Sequence, residues 1–125
     1  MTRKRILPDK ARATRAGRRA ETLAVCWLRA KAYRIVARNY KRRRGEVDII
    51  ARRGRVLVFV EVKYCHHKNA TKASVASRQW QRIGAAAEDF TAQHPAFRAH
   101  VWRFYMVVCA PRQWPRHIAD CWRMR

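Results

Sequence analysis

The stretch Gly45–Lys63, GEVDIIARRGRVLVFVEVK, places two runs of β-branched residues around a glycine. Three acids, Glu46, Asp48 and Glu61, lie inside it, although the whole chain contains only 8 Asp+Glu. An ionised carboxylate taken out of water is heavily penalised unless something compensates it. Glu46–Ala51 and Val56–Lys63 read as strands joined by the turn Arg52-Arg53-Gly54-Arg55, where glycine offers a positive φ. The second strand is apolar on both faces (Val56, Val58 and Val60 on one, Leu57 and Phe59 on the other), which predicts a central position in a sheet. Along each strand, residues two apart share a face, so Glu46 goes with Asp48 and Glu61 with Lys63. With the turn centred on Arg53-Gly54, Glu46 lies opposite Glu61. Asp48 is then its diagonal neighbour, roughly 7–8 Å away at the backbone.

Two carboxylates so placed repel one another, and a divalent cation between them removes the repulsion. Oxygen donors with no His or Cys in the set indicate Mg²⁺ or Mn²⁺ rather than zinc. Lys63, on the same face as Glu61, can polarise a phosphate or position an attacking water. Together with a cation it would stabilise the charge that develops on phosphorus in phosphodiester hydrolysis. Taken alone, Glu-x-Lys is also what the polar end of a buried strand looks like. The weight lies in the combination with Asp48.

The composition indicates the partner. Against those 8 acids stand 30 Lys+Arg, a net charge of +22 in 125 residues. Such a field concentrates polyanions, and each phosphate neutralised releases condensed counterions. Nucleic acid is the expected partner, DNA ahead of RNA. The chain is 49% hydrophobic, enough for one ordinary core, so the charge does not signal disorder. No stretch of 18 apolar residues and no signal-type hydrophobic region occur, which argues against a membrane and for a cytoplasmic protein. Cys26, Cys65, Cys109 and Cys121 form no C-x-x-C pair and read as free thiols. Cys65-His66-His67 invites a zinc reading, but neighbours on an extended chain point apart and rarely chelate one ion.

The remaining segments read as one α/β domain over residues 14–125, preceded by a basic arm over 1–13. That arm is Arg-rich and acid-poor, a composition it shares with transit peptides, but a disordered basic arm is the stronger expectation. RAGRRAETLAVCWLRAKA is helical, with Gly17, Glu21, Ala24, Val25 and Leu28 in one row. Glu21 on that row is equally a site residue or a first-turn acid favoured by the helix dipole. AYRIVARNY alternates as a strand. After the polar loop HHKNATK, a second helix is marked by Ala76, Trp80, Ile83, Ala87 and Phe90. HPAF breaks it, HVWRFYMVVC is an apolar strand, and HIADCW closes the chain as an edge strand. Lys41, Arg42, Arg43 and Arg44 abut the acidic strand and are candidate phosphate guides. Arg78 and Arg82 flank Trp80 as in single-strand binders, yet Trp80 also fits the core row of its helix, and burial is the stronger expectation.

The sequence GRRAETLAVCWL…VARNYKRRRGEVDIIARRGRVLVFVEVK resembles the YraN family of small bacterial proteins. That family is similar to the PD-(D/E)xK nucleases and, in pattern, to archaeal Holliday-junction resolvases. The resemblance runs from about Gly17 to about Cys109. It implies a restriction-endonuclease-like α/β fold with an α-β-β-β-α-β core and a central mixed sheet. It also implies the helical Glu at Glu21, the metal-binding Asp at Asp48 and the (D/E)-x-K pair at Glu61 and Lys63. Gln79 falls where the superfamily often has Gln or Lys facing the site. The chain departs from the family where R-F-D-x-V reads Arg103-Phe104-Tyr105-Met106-Val107, and where Tyr64-Cys65-His66 replaces an Arg-bearing loop. The expectation is an endonuclease dependent on Mg²⁺ or Mn²⁺, acting on nucleic-acid phosphodiesters, with branched DNA as a candidate substrate. The rival is a nucleic-acid-binding module with little or no catalysis. A homodimer is compatible with either.

Overall fold

The computed structural model describes the backbone of residues 17–64, 77–110, 112 and 114–122, and side chains for these except Ser77 and residues 119–122. The basic arm, Cys65–His67, the loop HHKNATK, Ala76 and the Cys121 side chain fall outside the described residues. Helix α1 covers residues 17–30 and helix α2 covers Ser77–Gln93. The strands are β1 (Arg34–Lys41), β2 (Glu46–Arg53), β3 (Val56–Tyr64), β4 (Val101–Cys109) and β5 (Arg116–Trp122). They form one sheet in the order β1-β2-β3-β4-β5. Only β3 and β4 run parallel, because α2 carries the chain between them; the other neighbours are antiparallel. This is an α/β domain with a mixed sheet, of restriction-endonuclease-like architecture.

Each face of the sheet is covered by one helix. Ala20, Ala24, Val25 and Leu28 of α1 pack on Ile49, Val58, Val60 and Val107. Trp80, Ile83, Ala87 and Phe90 of α2 pack on Ile50, Leu57, Phe59 and Met106. β3 therefore buries side chains on both faces, which is why it reads as an unbroken apolar run. Trp80 is in the core, and Phe104 stacks on Phe59 with Trp102 at its edge. Of the interleaved aromatics, Trp80 and Phe104 belong to packing.

Local signals fix the ends of these elements. α1 ends in a Schellman motif, in which Tyr33 N–H donates to Leu28 O and Ala32 N–H to Arg29 O, with Ala32 in the left-handed region at φ 70°. Tyr33 is thereby buried beside Leu28 and β1 starts on course. Pro95 stops α2, and Pro95–Phe97 makes one 3-10 turn before β4.

The β2–β3 turn differs from the sequence expectation. Its two central residues are Gly54 and Arg55, with Arg53 paired to Val56. Gly54 has φ 60°, the value a type II′ turn needs at its first central position. The register is therefore two residues away from the one expected. Continuing it from Ile49↔Val60 sets Asp48, rather than Glu46, across from Glu61. An even shift leaves the side chains of the paired residues, Ile49–Arg53 and Val56–Val60, on their expected faces.

A second glycine holds the sheet to α2. Any Cβ at Gly45 would collide with the Arg82 carbonyl. The start of β2 thus lies directly against the helix backbone. Gly45→Ala should destabilise the fold by about 1–3 kcal/mol, the usual cost of overpacking. A denaturant midpoint unchanged from wild type would contradict the close approach.

Candidate functional site

The site forms where β2 and β3 part. The β2–β3 ladder runs from Arg53↔Val56 to Ile49↔Val60, while β2 stays paired with β1 as far as Glu46↔Lys41. At the opening, Asp48 Oδ2 accepts the Val62 N–H at 2.8 Å. A side chain thus replaces the ladder bond that the diverging strand no longer supplies. Val47 also departs from strict alternation. By parity it should join Ile49 on the α1 face, yet it packs in the α2 cluster. This turn of the strand separates Glu46 from the other acids, and Glu46 does not line the cleft.

The cleft has a volume of about 660 Å³ and is lined by Glu21, Asn39, Lys41, Asp48, Glu61 and Tyr64, with Gly17 and Arg18 at its rim. Glu61 is 8% exposed, one of few buried polar side chains among the described residues. Its carboxyl lies within hydrogen-bonding reach of Asp48 and accepts from Gln79 Nε2 at 3.1 Å. Burial pushes Glu61 up to about 8, the Asp48 charge and the hydrogen bond to it push the same way, and Gln79 and Lys63 pull down without prevailing. Glu61 therefore keeps its proton through neutral pH, within hydrogen-bonding reach of Asp48.

The helical acid is engaged elsewhere. Glu21 Oε1 accepts from Asn39 Nδ2 at 2.9 Å and from Arg38 Nε at 3.3 Å. Asn39 reaches it because its backbone is left-handed, φ 50°, inside a strand. For this reason no three His, Cys, Asp or Glu side chains are gathered as a metal cage among the described residues. The residues present nonetheless suit a hard cation. Mg²⁺ commonly takes one or two carboxylates and fills its octahedron with waters and substrate phosphate. Asp48 and Glu61 already share a proton at a place where a cation could replace it.

The remaining predicted residues separate into two groups. Gln79 touches Glu61, Lys41 lines the cleft, and Lys63 is half-buried and close enough for its charge to lower the Glu61 pKa. Arg43, Arg78 and Arg82 are exposed. Arg44 pairs with Asp89 at 2.8 Å and Glu88 at 3.4 Å on α2, and Arg42 with Gln93 at 2.6 Å and Tyr40 at 3.0 Å. Those two arginines tie the β1–β2 turn to α2. Sequence reasoning missed Arg38 and Asn39. Asn within a strand was the available signal, since Asn tolerates the left-handed region.

The sequence profile of the uncharacterised protein family UPF0102 matches residues 20–109, which hold every one of these cleft residues except Gly17 and Arg18. The chain belongs to that family, the YraN family. A UPF0102 protein of Parvibaculum lavamentivorans is 47% identical over 111 residues, covering 89% of this chain and 84% of the relative. Another, from Paramagnetospirillum magneticum, is 45% identical over 116 residues, covering 90% of each. One from Bradyrhizobium diazoefficiens is 41% identical, covering 89% of this chain and 84% of its own. The family profile ends at the last residue of β4, so it spans the helix–sheet frame that builds the cleft.

The shared proton sets a pH dependence. The unfolded chain releases the Glu61 proton near 4.5, and the folded protein releases it near 8. Between those values the folded state binds more protons, so stability falls as pH rises through this window and is fully present below it. Glu61→Gln should remove this slope. Its melting temperature should gain on wild type between pH 5 and 8.5, by an amount worth on the order of a few kcal/mol. Parallel melting curves for the two proteins across that range would show that Glu61 ionises normally.

Proposed function

We propose that this protein is a divalent-metal-dependent endonuclease that hydrolyses nucleic-acid phosphodiesters. The observation that carries the reading is the pair of half-buried Asp48 and buried Glu61 where β2 and β3 part, inside a chain of net charge +22. Two acids are held in one cleft without a basic partner to neutralise them fully. A polyanion drawn to the surrounding arginines could approach them only if their charge were balanced.

Asp48 and Glu61 would hold Mg²⁺ or Mn²⁺, with Glu21 joining directly or through water once Arg38 and Asn39 release it. Bound there, the cation would supply Lewis-acid polarisation of a phosphate oxygen and a more acidic water. The other roles belong to the chain. The Asp48 carboxylate keeps its orientation through the Val62 N–H, so its second oxygen remains available. Gln79 fixes the Glu61 carboxyl from the α2 side. Lys63 brings an ammonium to the same neighbourhood, where it can donate to the attacking water or to the non-bridging oxygens as charge builds on phosphorus. Lys41 and Arg18 at the cleft hold the flanking phosphates as counter-charges.

The test is cleavage of a four-way junction, a flap, a single strand and a duplex, with Mg²⁺, with Mn²⁺ and with chelator. Asp48→Asn combined with Glu61→Gln should lose more than about 100-fold in rate. It should keep its DNA affinity, because the arginines are untouched. Without metal it should melt at or above wild type above pH 8, where both native carboxyls are ionised and repel. It should also lack the metal-induced stabilisation of wild type, about 2.7 kcal/mol at a hundredfold excess over Kd. Absence of cleavage by wild type under all conditions, with intact DNA binding, would replace this reading with that of a binding module.

Binding itself has a separate signature. DNA affinity should fall steeply with salt, log K losing roughly 0.9 per phosphate contact for each unit of log[salt]. A nearly flat plot would remove nucleic acid as the partner.

A further inference from the structure

A second cavity of about 640 Å³ adjoins the acidic cleft, and the two share Ala20 and Tyr64 in their walls. Its character is different. Leu23, Trp27, Tyr64 and Trp114 line it, with Arg19 and Arg112 at its edges. Trp114 is 83% exposed and Leu23 49%. Trp114 rests on Trp27, ring centroids 6.2 Å apart and tilted by 36°, and Lys31 Nζ lies 4.9 Å from the centre of the Trp27 ring. The spacing is too tight and tilted to admit a third ring between the two tryptophans. The far face of Trp114 is open. A large aromatic surface left in water is unusual unless it meets something.

Resting on the endonuclease reading, we propose that this cavity receives an unstacked nucleobase next to the scissile phosphate, with Trp114 as the stacking platform. Continuity with the cleft places such a base within one wall of the acids. Arginines and a lysine beside aromatic rings are the combination that binds single strands, the cations meeting phosphates and the rings meeting bases of any sequence. A base inside an intact duplex cannot reach the pocket without leaving its stack, which costs energy that an unpaired base has already lost. The substrates favoured are therefore nucleic acids with unpaired nucleotides at the cut, such as flaps, splayed arms or single strands. Fully paired duplexes and fully paired junctions are disfavoured.

The experiment measures affinity in chelator, so that no cleavage is needed. Wild type, Trp114→Ala and Trp114→Phe are titrated at one salt concentration with a flap carrying 2-aminopurine at its first unpaired position, and with a duplex of equal length. Wild type should quench the 2-aminopurine and prefer the flap. Trp114→Ala should lose the quenching and about ten- to a hundredfold in flap affinity, with duplex affinity unchanged. Trp114→Phe, which keeps an aromatic face, should restore most of both. An exposed side chain is removed, so both variants should fold, and circular dichroism checks this. Equal weakening for flap and duplex, or no change for either, would overturn the proposal. So would sedimentation showing that Trp114→Ala splits a dimer while the flap-to-duplex ratio stays constant, since the pocket would then cover a second copy of the chain. Failure of the metal-dependent cleavage test leaves this result standing, and failure here leaves that chemistry standing.

Discussion

Two carboxylic acids that approach one another out of water constrain everything around them. Asp48 and Glu61 meet because β2 and β3 are paired up to Ile49 and Val60 and part immediately afterwards. Had the ladder continued, Val62 would have found its partner on the β2 backbone and Asp48 would have been an ordinary cross-strand residue. Instead the Asp48 side chain closes the ladder. The Val62 N–H fixes one carboxylate oxygen, Gln79 fixes the other acid, and a shared proton makes the pair tolerable. The surrounding core positions these groups. α2 must lie close to the start of β2 for Gln79 to reach Glu61, and Gly45 against the Arg82 carbonyl allows that approach.

Most of this frame was legible in the sequence, for physical reasons that can be named. β3 was readable as central because both of its faces are apolar. The faces of Asp48, Glu61 and Lys63 were readable because strand parity survives any even error in register. The error itself came from centring the turn one residue early, on Arg53-Gly54 instead of Gly54-Arg55, which moves the pairing by two. Glu46 was misplaced for a further reason. Alternation assumes that a strand keeps its twist, and β2 turns at Val47 when it leaves β3.

What stayed hidden depended on three-dimensional neighbours with no periodicity to betray them. The bond from Asn39 to Glu21 joins residues 18 positions apart through a left-handed residue. Arg42 and Arg44 read from the sequence as candidate phosphate guides, and their partners on α2 lie 51 and 45 positions away. Trp114 lies in a stretch with neither helical nor strand spacing, and only the adjacency of α1 gives it meaning.

The distribution of charge ties these features into one coupled system. Of the acids in the chain, Glu88 and Asp89 are paired with Arg44, whereas Glu21, Asp48 and Glu61 all line one cleft. That cleft is an acidic island in a strongly basic molecule. On the proposed reading, a phosphate drawn in by the arginines would meet repulsion there from ionised carboxyls, and the buried Glu61 would be screened by salt less than a surface charge. A proton removes part of it and a cation removes more. Proton, proposed cation and proposed polyanion would therefore be thermodynamically linked in this cleft. On the proposed reading, protons would compete with the cation for the same oxygens, and the cation and the polyanion would each raise the affinity of the other by the same factor, as reciprocity requires. The bonds from Arg38 and Asn39 to Glu21 add a further balance, because a phosphate that drew Arg38 away would leave Glu21 held by Asn39 alone and closer to release toward Asp48 and Glu61.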